Sequence, residues 1–123
     1  MNIEIKNEIE KKGMIINNFF LKYSKRVFTH DYGKTNEECL EIYDTKNFSL
    51  ITISFRDNMN SFISYKKREN YYIGNVKRVE VADISIQFEN FKISIVNDTF
   101  RIYLNEKYLS FSINNKNGGD VEG

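Results

Sequence analysis

His30 and Cys39 are the one histidine and the one cysteine of the 123-residue chain, so thiol-based nucleophilic catalysis would have to use this pair. A Cys–His dyad needs both side chains within hydrogen-bond reach and a third group to orient the base. Asp31 adjoins His30, but neighbours on a loop seldom point the right way. Cys39 beside Leu40 reads instead as a small buried hydrophobe, and His30, in THDYGK, as an exposed loop residue. One histidine and one cysteine cannot supply a zinc centre of the usual nitrogen and sulfur type. No metal ligand, no catalytic residue and no cofactor is therefore assigned, and the chain reads as a protein other than an enzyme.

Oxygen-ligand metal chemistry needs converging carboxylates. Glu37, Glu41 and Asp44 would share a face if their segment were helical, and a solvated acidic face is the plainer reading. Asp31 ahead of Asp44-Thr45-Lys46 has the spacing of a small metal-dependent nuclease core, in which acids hold Mg²⁺ and a lysine positions water. Acid-x-Lys recurs at Glu4–Lys6 and Glu10–Lys12, so that alternative has little specificity. No glycine-rich phosphate loop is present; Gly118-Gly119 falls in the last residues.

The basic stretch SYKKRENYYIGNVKRVEV, residues 64–81, sets Lys66, Lys67, Arg68, Lys77 and Arg78 against Glu69 and Glu80. Tyr65, Tyr71 and Tyr72 lie among them. On a single-strand-binding sheet such tyrosines stack bases while the cations follow the backbone. Strand geometry, however, sends alternate residues to opposite faces. Residues 66–70 read as a solvated loop between strands at 62–66 and 71–81, with nucleic-acid binding by a 65–78 hairpin as the alternative.

Those residues need elements to position them, and the clearest pattern covers 83–113. Four apolar runs of period two, Ile84–Phe88, Phe91–Ile95, Phe100–Leu104 and Leu109–Ile113, are separated by Glu89-Asn90, Asn97-Asp98 and Asn105–Lys107. Such alternation describes half-buried strands, and such turns join antiparallel neighbours. Opposing Phe88 to Phe91, Ile95 to Phe100 and Leu104 to Leu109 lines up three apolar rows. The same register gathers Gln87, Lys92, Arg101 and Tyr103 on the polar face. Tyr and Arg are enriched where proteins meet proteins, so these four form the expected partner-binding surface.

Upstream, residues 48–55 read as a strand, and 35–43 as a strand in preference to a short helix capped by Thr35 and Glu38. Steps of three or four through Ile5, Ile9, Lys12, Ile16, Phe20, Tyr23 and Val27 suggest an amphipathic N-terminal helix lying on a sheet, with Gly13 as a break. The expected fold is α+β: an N-terminal helix packed on a mainly antiparallel sheet of about six to eight strands, curved as a meander, half-barrel or sandwich. Residues 1–114 form one domain, and 115–123 a flexible tail.

Composition narrows the function. Basic and acidic residues number 18 and 17, leaving a net charge of +1. That excludes the overall basic excess of dedicated nucleic-acid binders. A lone cysteine permits no intrachain disulfide, and neither a signal peptide nor a membrane-spanning run is visible, which points to a soluble, cytoplasmic protein. Without a catalytic constellation, the expected function is protein binding by a small single domain. Inhibitors that occlude a larger protein, whether phage anti-defence proteins of the anti-CRISPR kind or toxin-immunity proteins, are of this type. Monomer and homodimer, the latter by pairing of a free strand edge, are both open.

Overall fold

The computed structural model describes residues 2–96, 99–104, 107–112 and 121–122. Helix α1 spans Asn2–Lys11 and is followed by strands β1 (Met14–Ile16), β2 (Phe19–His30), β3 (Gly33–Asp44), β4 (Ser49–Arg56), β5 (Phe62–Lys67) and β6 (Lys77–Val79). These form a six-stranded sheet in the order β5-β4-β3-β2-β1-β6. A second sheet follows, built from β7 (Asp83–Gln87), β8 (Phe91–Val96), β9 (Thr99–Leu104), β10 (Lys107–Ser112) and β11 (Val121–Glu122). Every pairing is antiparallel except that of β1 with β6. The fold is α+β, with the sandwich form of the expected architecture.

The two sheets bury one continuous core. Phe19, Leu21, Leu40, Ile42, Ile51 and Ile53 of the first sheet meet Ile84, Ile86, Phe91, Ile93, Phe100 and Ile102 of the second, and Ile5 and Ile9 bring the helix into the same cluster. Phe19 and Phe100 pack edge to face with centroids 4.4 Å apart. Such ring contacts add directional packing to the area buried.

The helix is shorter than the stripe of three- and four-residue steps suggested. It ends at Lys11, where the Gly13 amide bonds back to the carbonyls of Glu8 and Ile9 (both 3.1 Å). Gly13 takes φ +87°, and a Cβ there would sit 2.8 Å from Phe20 Cε1. This is the glycine stop of a helix C-terminus, not a kink within one. Residues 14–27, expected to be helical, instead form β1 and most of β2, with the turn between them. Asn17, at φ 57°, opens the two-residue turn between Ile16 and Phe19, a conformation asparagine tolerates well. The helical spacing from Ile16 to Val27 overlaid the alternation of Phe19, Leu21 and Tyr23 with Phe20, Lys22 and Ser24.

Residues 35–43 belong to β3, a strand as expected, and the strand expected over 48–55 is β4, Ser49–Arg56, with Phe48 left in the preceding turn at φ 57°. In the second sheet the rows Ile84–Ile95–Phe100 and Ile86–Ile93–Ile102 form in the expected register. The last hairpin is offset by two residues: Leu104 opposes Lys107, and Ile102, not Leu104, opposes Leu109. An even offset keeps each residue on its own face, so pattern alone could not separate the two registers. Ile113 and most of the expected 115–123 tail lie outside the described residues; within it Val121–Glu122 pair with β10.

A larger departure concerns residues 71–81. Only Lys77–Val79 are strand, and β5 and β6 occupy opposite edges of the first sheet. The segment between them is a strap across the outward face, not half of a hairpin. Tyr71, Ile73 and Val76 from the strap cover Ile15, Phe20, Tyr43 and Leu50 in a second, smaller cluster. That cover explains why β1 and the start of β2 are buried on both faces.

Candidate functional site

The four expected partner-binding residues do come together. Gln87 opposes Lys92 across β7 and β8, and Lys92 opposes Tyr103 across β8 and β9. Arg101 opposes Ser94 one row on. All project from the outward face, because their sequence neighbours Ile86, Ile93 and Ile102 fill the core. The Lys92 ammonium lies 4.9 Å from the Tyr103 ring centroid, within cation–π range. A depression of about 240 Å³ borders Gln87, Lys92, Tyr103 and the turn at Glu89–Phe91.

The basic stretch is dispersed. Lys66 and Arg78 end one cross-sheet row, Lys66–Leu50–Tyr43–Phe20–Ile15–Arg78. Five strand spacings put them roughly 24 Å apart. Lys66, Lys67 and Arg68 sit at one edge and Lys77 and Arg78 at the other. The tyrosines divide as well. Tyr71 is half-buried, stacked 4.7 Å from Tyr43, and its hydroxyl pKa is raised by burial and by Glu41. Tyr72 is 89% exposed, and Tyr65 alternates to the other face of β5. The 65–78 hairpin of the nucleic-acid alternative is therefore absent, and its groups share no single surface.

The groups considered for catalysis are separated. His30 pairs with Gly33 at the β2–β3 turn, while Cys39 opposes Ser24 and Ser54. Six residues along β3 set them about 20 Å apart. Burial pushes the Cys39 thiol up to about 11, and Glu41 and Glu37 add to the effect, which disfavours the thiolate. His30 Nε2 lies 2.7 Å from Thr35 Oγ1, and Thr35 donates in turn to Asn58 Oδ1, tying the hairpin tip to the loop after β4. Asp31 lies in the turn before β3 and Asp44 at the far end of that strand, roughly 40 Å apart. Asp44 is fully buried and accepts from Asn18 Nδ2, the Lys46 and Asn47 amides and Asn47 Nδ2 at 2.9–3.2 Å. It joins two turns. Among the described residues no group of three or more His, Cys, Asp or Glu could hold a metal ion.

Two carboxylates that the sequence suggested only as part of a solvated acidic face (Glu37) and as a helix cap (Glu38) each accept three hydrogen bonds. Glu38 faces inward and accepts from Tyr23 Oη (2.5 Å) and from the Glu89 and Asn90 amides (2.7 and 2.8 Å). It fastens the β7–β8 turn to the first sheet. Glu37 faces outward and bonds Arg26 Nε, Arg56 Nε and Ser54 Oγ. Burial raises its pKa, but these three bonds outweigh burial and hold it at about 2. Phe28 lies beneath both guanidinium groups. Arg26, Phe28 and Glu37 meet only once residues 19–30 are a strand, so the helical reading hid the cluster.

Beyond the β7–β8 turn the long strands β2–β4 overhang the second sheet. Val27, on the core-facing side, is 59% exposed there. A cleft of about 470 Å³ results, with Val27 and Phe55 among its apolar walls and Lys25, Asn36, Asp57 and Glu89 among its polar ones. Lys25 and Glu89 form an ion pair at its rim. Among the described residues no helix is long and apolar enough to cross a membrane. No protein-family model matches the chain, and comparisons with curated proteins and with solved structures returned no match.

Proposed function

We propose that the protein is a non-catalytic protein-binding module, an inhibitor that occludes a larger protein through the outward face of its second sheet. The observation that carries this reading is the single cross-strand row Gln87–Lys92–Tyr103 with Arg101 beside it. These are long, amphipathic side chains on short paired strands. Tyr and Arg in such a setting lose little conformational freedom on binding and dominate many interfaces. Lys92 and Arg101 give the patch a positive character, which favours an acidic partner surface. The chain's chemically capable groups support the same reading: Glu37, Glu38 and Asp44 each hold secondary structure together, and the Cys39 thiol is disfavoured as a thiolate.

The test is affinity capture of nuclease-treated lysate by the intact protein, followed by binding measurements with the captured partner. Arg101→Ala combined with Tyr103→Ala is expected to weaken the complex at least tenfold, about 1.4 kcal/mol or more. Undiminished affinity in that variant removes this face from the function. Recovery of nucleic acid in place of a protein would replace the reading altogether.

A further inference from the structure

Arginine, glutamate and phenylalanine side chains from four adjacent strands converge on the other sheet, away from the surface proposed above. Glu37 is 4% exposed, and each of its carboxylate oxygens takes one arginine Nε: Arg26 at 2.5 Å and Arg56 at 2.9 Å. Ser54 Oγ adds a bond of 2.7 Å. Two guanidinium groups on one carboxylate leave an excess of one positive charge. Both arginines are fixed through Nε, and their terminal nitrogens have no hydrogen-bond partner among the described residues. A guanidinium held in this way still presents its outer pair of N–H donors, the fork that matches a carboxylate.

The surroundings of the forks are aromatic. Each guanidinium carbon lies 5.5 Å from the Phe28 ring centroid, and Arg56 lies 5.2 Å from that of Phe62. Phe62 is 44% exposed, and the Arg26 side chain 66%, so ring and fork are both reachable. The positive region is also narrow. The next charged positions along this face, Lys22 and Glu41, are cross-strand partners of opposite sign. That geometry suits one anionic group with apolar flanks better than a continuous phosphate backbone, which needs a track of cations.

We infer that Arg26 and Arg56, oriented by Glu37 and bordered by Phe28 and Phe62, bind a single carboxylate on an acidic segment of a protein partner, with apolar residues of that segment against the rings. A partner's Asp or Glu would take the two free forks while an adjacent apolar side chain covers Phe62. This site lies on the outward face of the first sheet and stands whether or not the second sheet is a binding surface.

The inference is tested by titrating the full-length ¹⁵N-labelled protein with the capped tripeptide acetyl-Phe-Glu-Phe-amide while following the arginine Nε–Hε resonances. Saturable shifts of the Arg26 and Arg56 signals with a Kd of about 1 mM are expected. Replacing the peptide's Glu by Gln should weaken binding about tenfold or more, and so should Arg26→Gln. In that variant Arg56 and Ser54 still hold Glu37. Arg26→Lys keeps the charge, loses the fork, and should also lose binding; Phe62→Ala should weaken it several-fold. The double change Arg101→Ala and Tyr103→Ala should leave the titration as it is. The absence of saturable shifts, equal binding of the Gln peptide, or undiminished binding by Arg26→Gln would overturn the inference. Inorganic phosphate acting at the same or lower concentration would make this a free-oxyanion site, and tighter Arg26-dependent binding of a twelve-residue oligothymidine would make it a nucleic-acid site; either overturns the protein partner.

Discussion

Glu37 and Glu38 are consecutive on β3 and face opposite ways, one into an arginine pair and the other onto the backbone of a turn. The strand's alternation assigns each carboxylate its own surroundings. For Glu37 the consequence is measurable. Its pKa falls from an ordinary 4.5 to about 2 in the folded chain, so the ionised form is favoured by folding. A depressed folded pKa contributes stability above the unfolded value and loses it as pH falls through the folded one. At about 1.36 kcal/mol per unit, roughly 3 kcal/mol is present at neutral pH and is lost between about pH 4.5 and pH 2. Glu37→Gln is expected to be less stable at pH 7 by about 2 kcal/mol and flatter across that window. Urea midpoints from pH 2 to 7 check this; parallel losses in wild type and variant would place the acid-sensitive group elsewhere.

Among the elements, the strap between β5 and β6 has the least regular structure and the clearest dependence on single residues. Tyr71 lies 4.7 Å from Tyr43 and 6.1 Å from Phe20, and Tyr43 Oη donates to the Arg68 carbonyl at 3.0 Å. Removing the Tyr71 ring should uncover Phe20 and Leu50, cost about 2–3 kcal/mol, and speed amide exchange in residues 68–79 ahead of the rest. Hydrogen exchange by mass spectrometry would show it; uniform acceleration would mean that the strap is not a separate unit. The strap was illegible as a strap because YYIGNVKRVEV has apolar residues at spacings a bent strand also allows. What decides the matter is Ile15, Phe20, Tyr43 and Leu50, which need a cover and lie far away in sequence. The helix end at Gly13 was half legible: the glycine marks a break, but its positive φ and the close approach of Phe20 distinguish a stop from a kink.

At the scale of the whole molecule, both sheets and the helix share one core, and this predicts one cooperative unit. Phe19→Ala, in the first sheet, removes a fully buried ring touching Phe100 of the second, at a cost of about 3–5 kcal/mol. Exchange protection in β8 and β9 should fall as much as in β2; unchanged protection there would mean that the sheets unfold separately. The α+β class, the second sheet's meander through β9 and the gathering of Gln87, Lys92, Arg101 and Tyr103 follow from the sequence by itself. Alternation fixes which side chains share a face, and short polar turns fix which strands are neighbours. The β1–β6 closure, the strap, the fastening of the β7–β8 turn by Glu38 and the Arg26–Glu37–Arg56 cluster were decided only by tertiary structure. Each joins segments distant along the chain, and periodicity reports which way a residue faces, not which distant residue it meets.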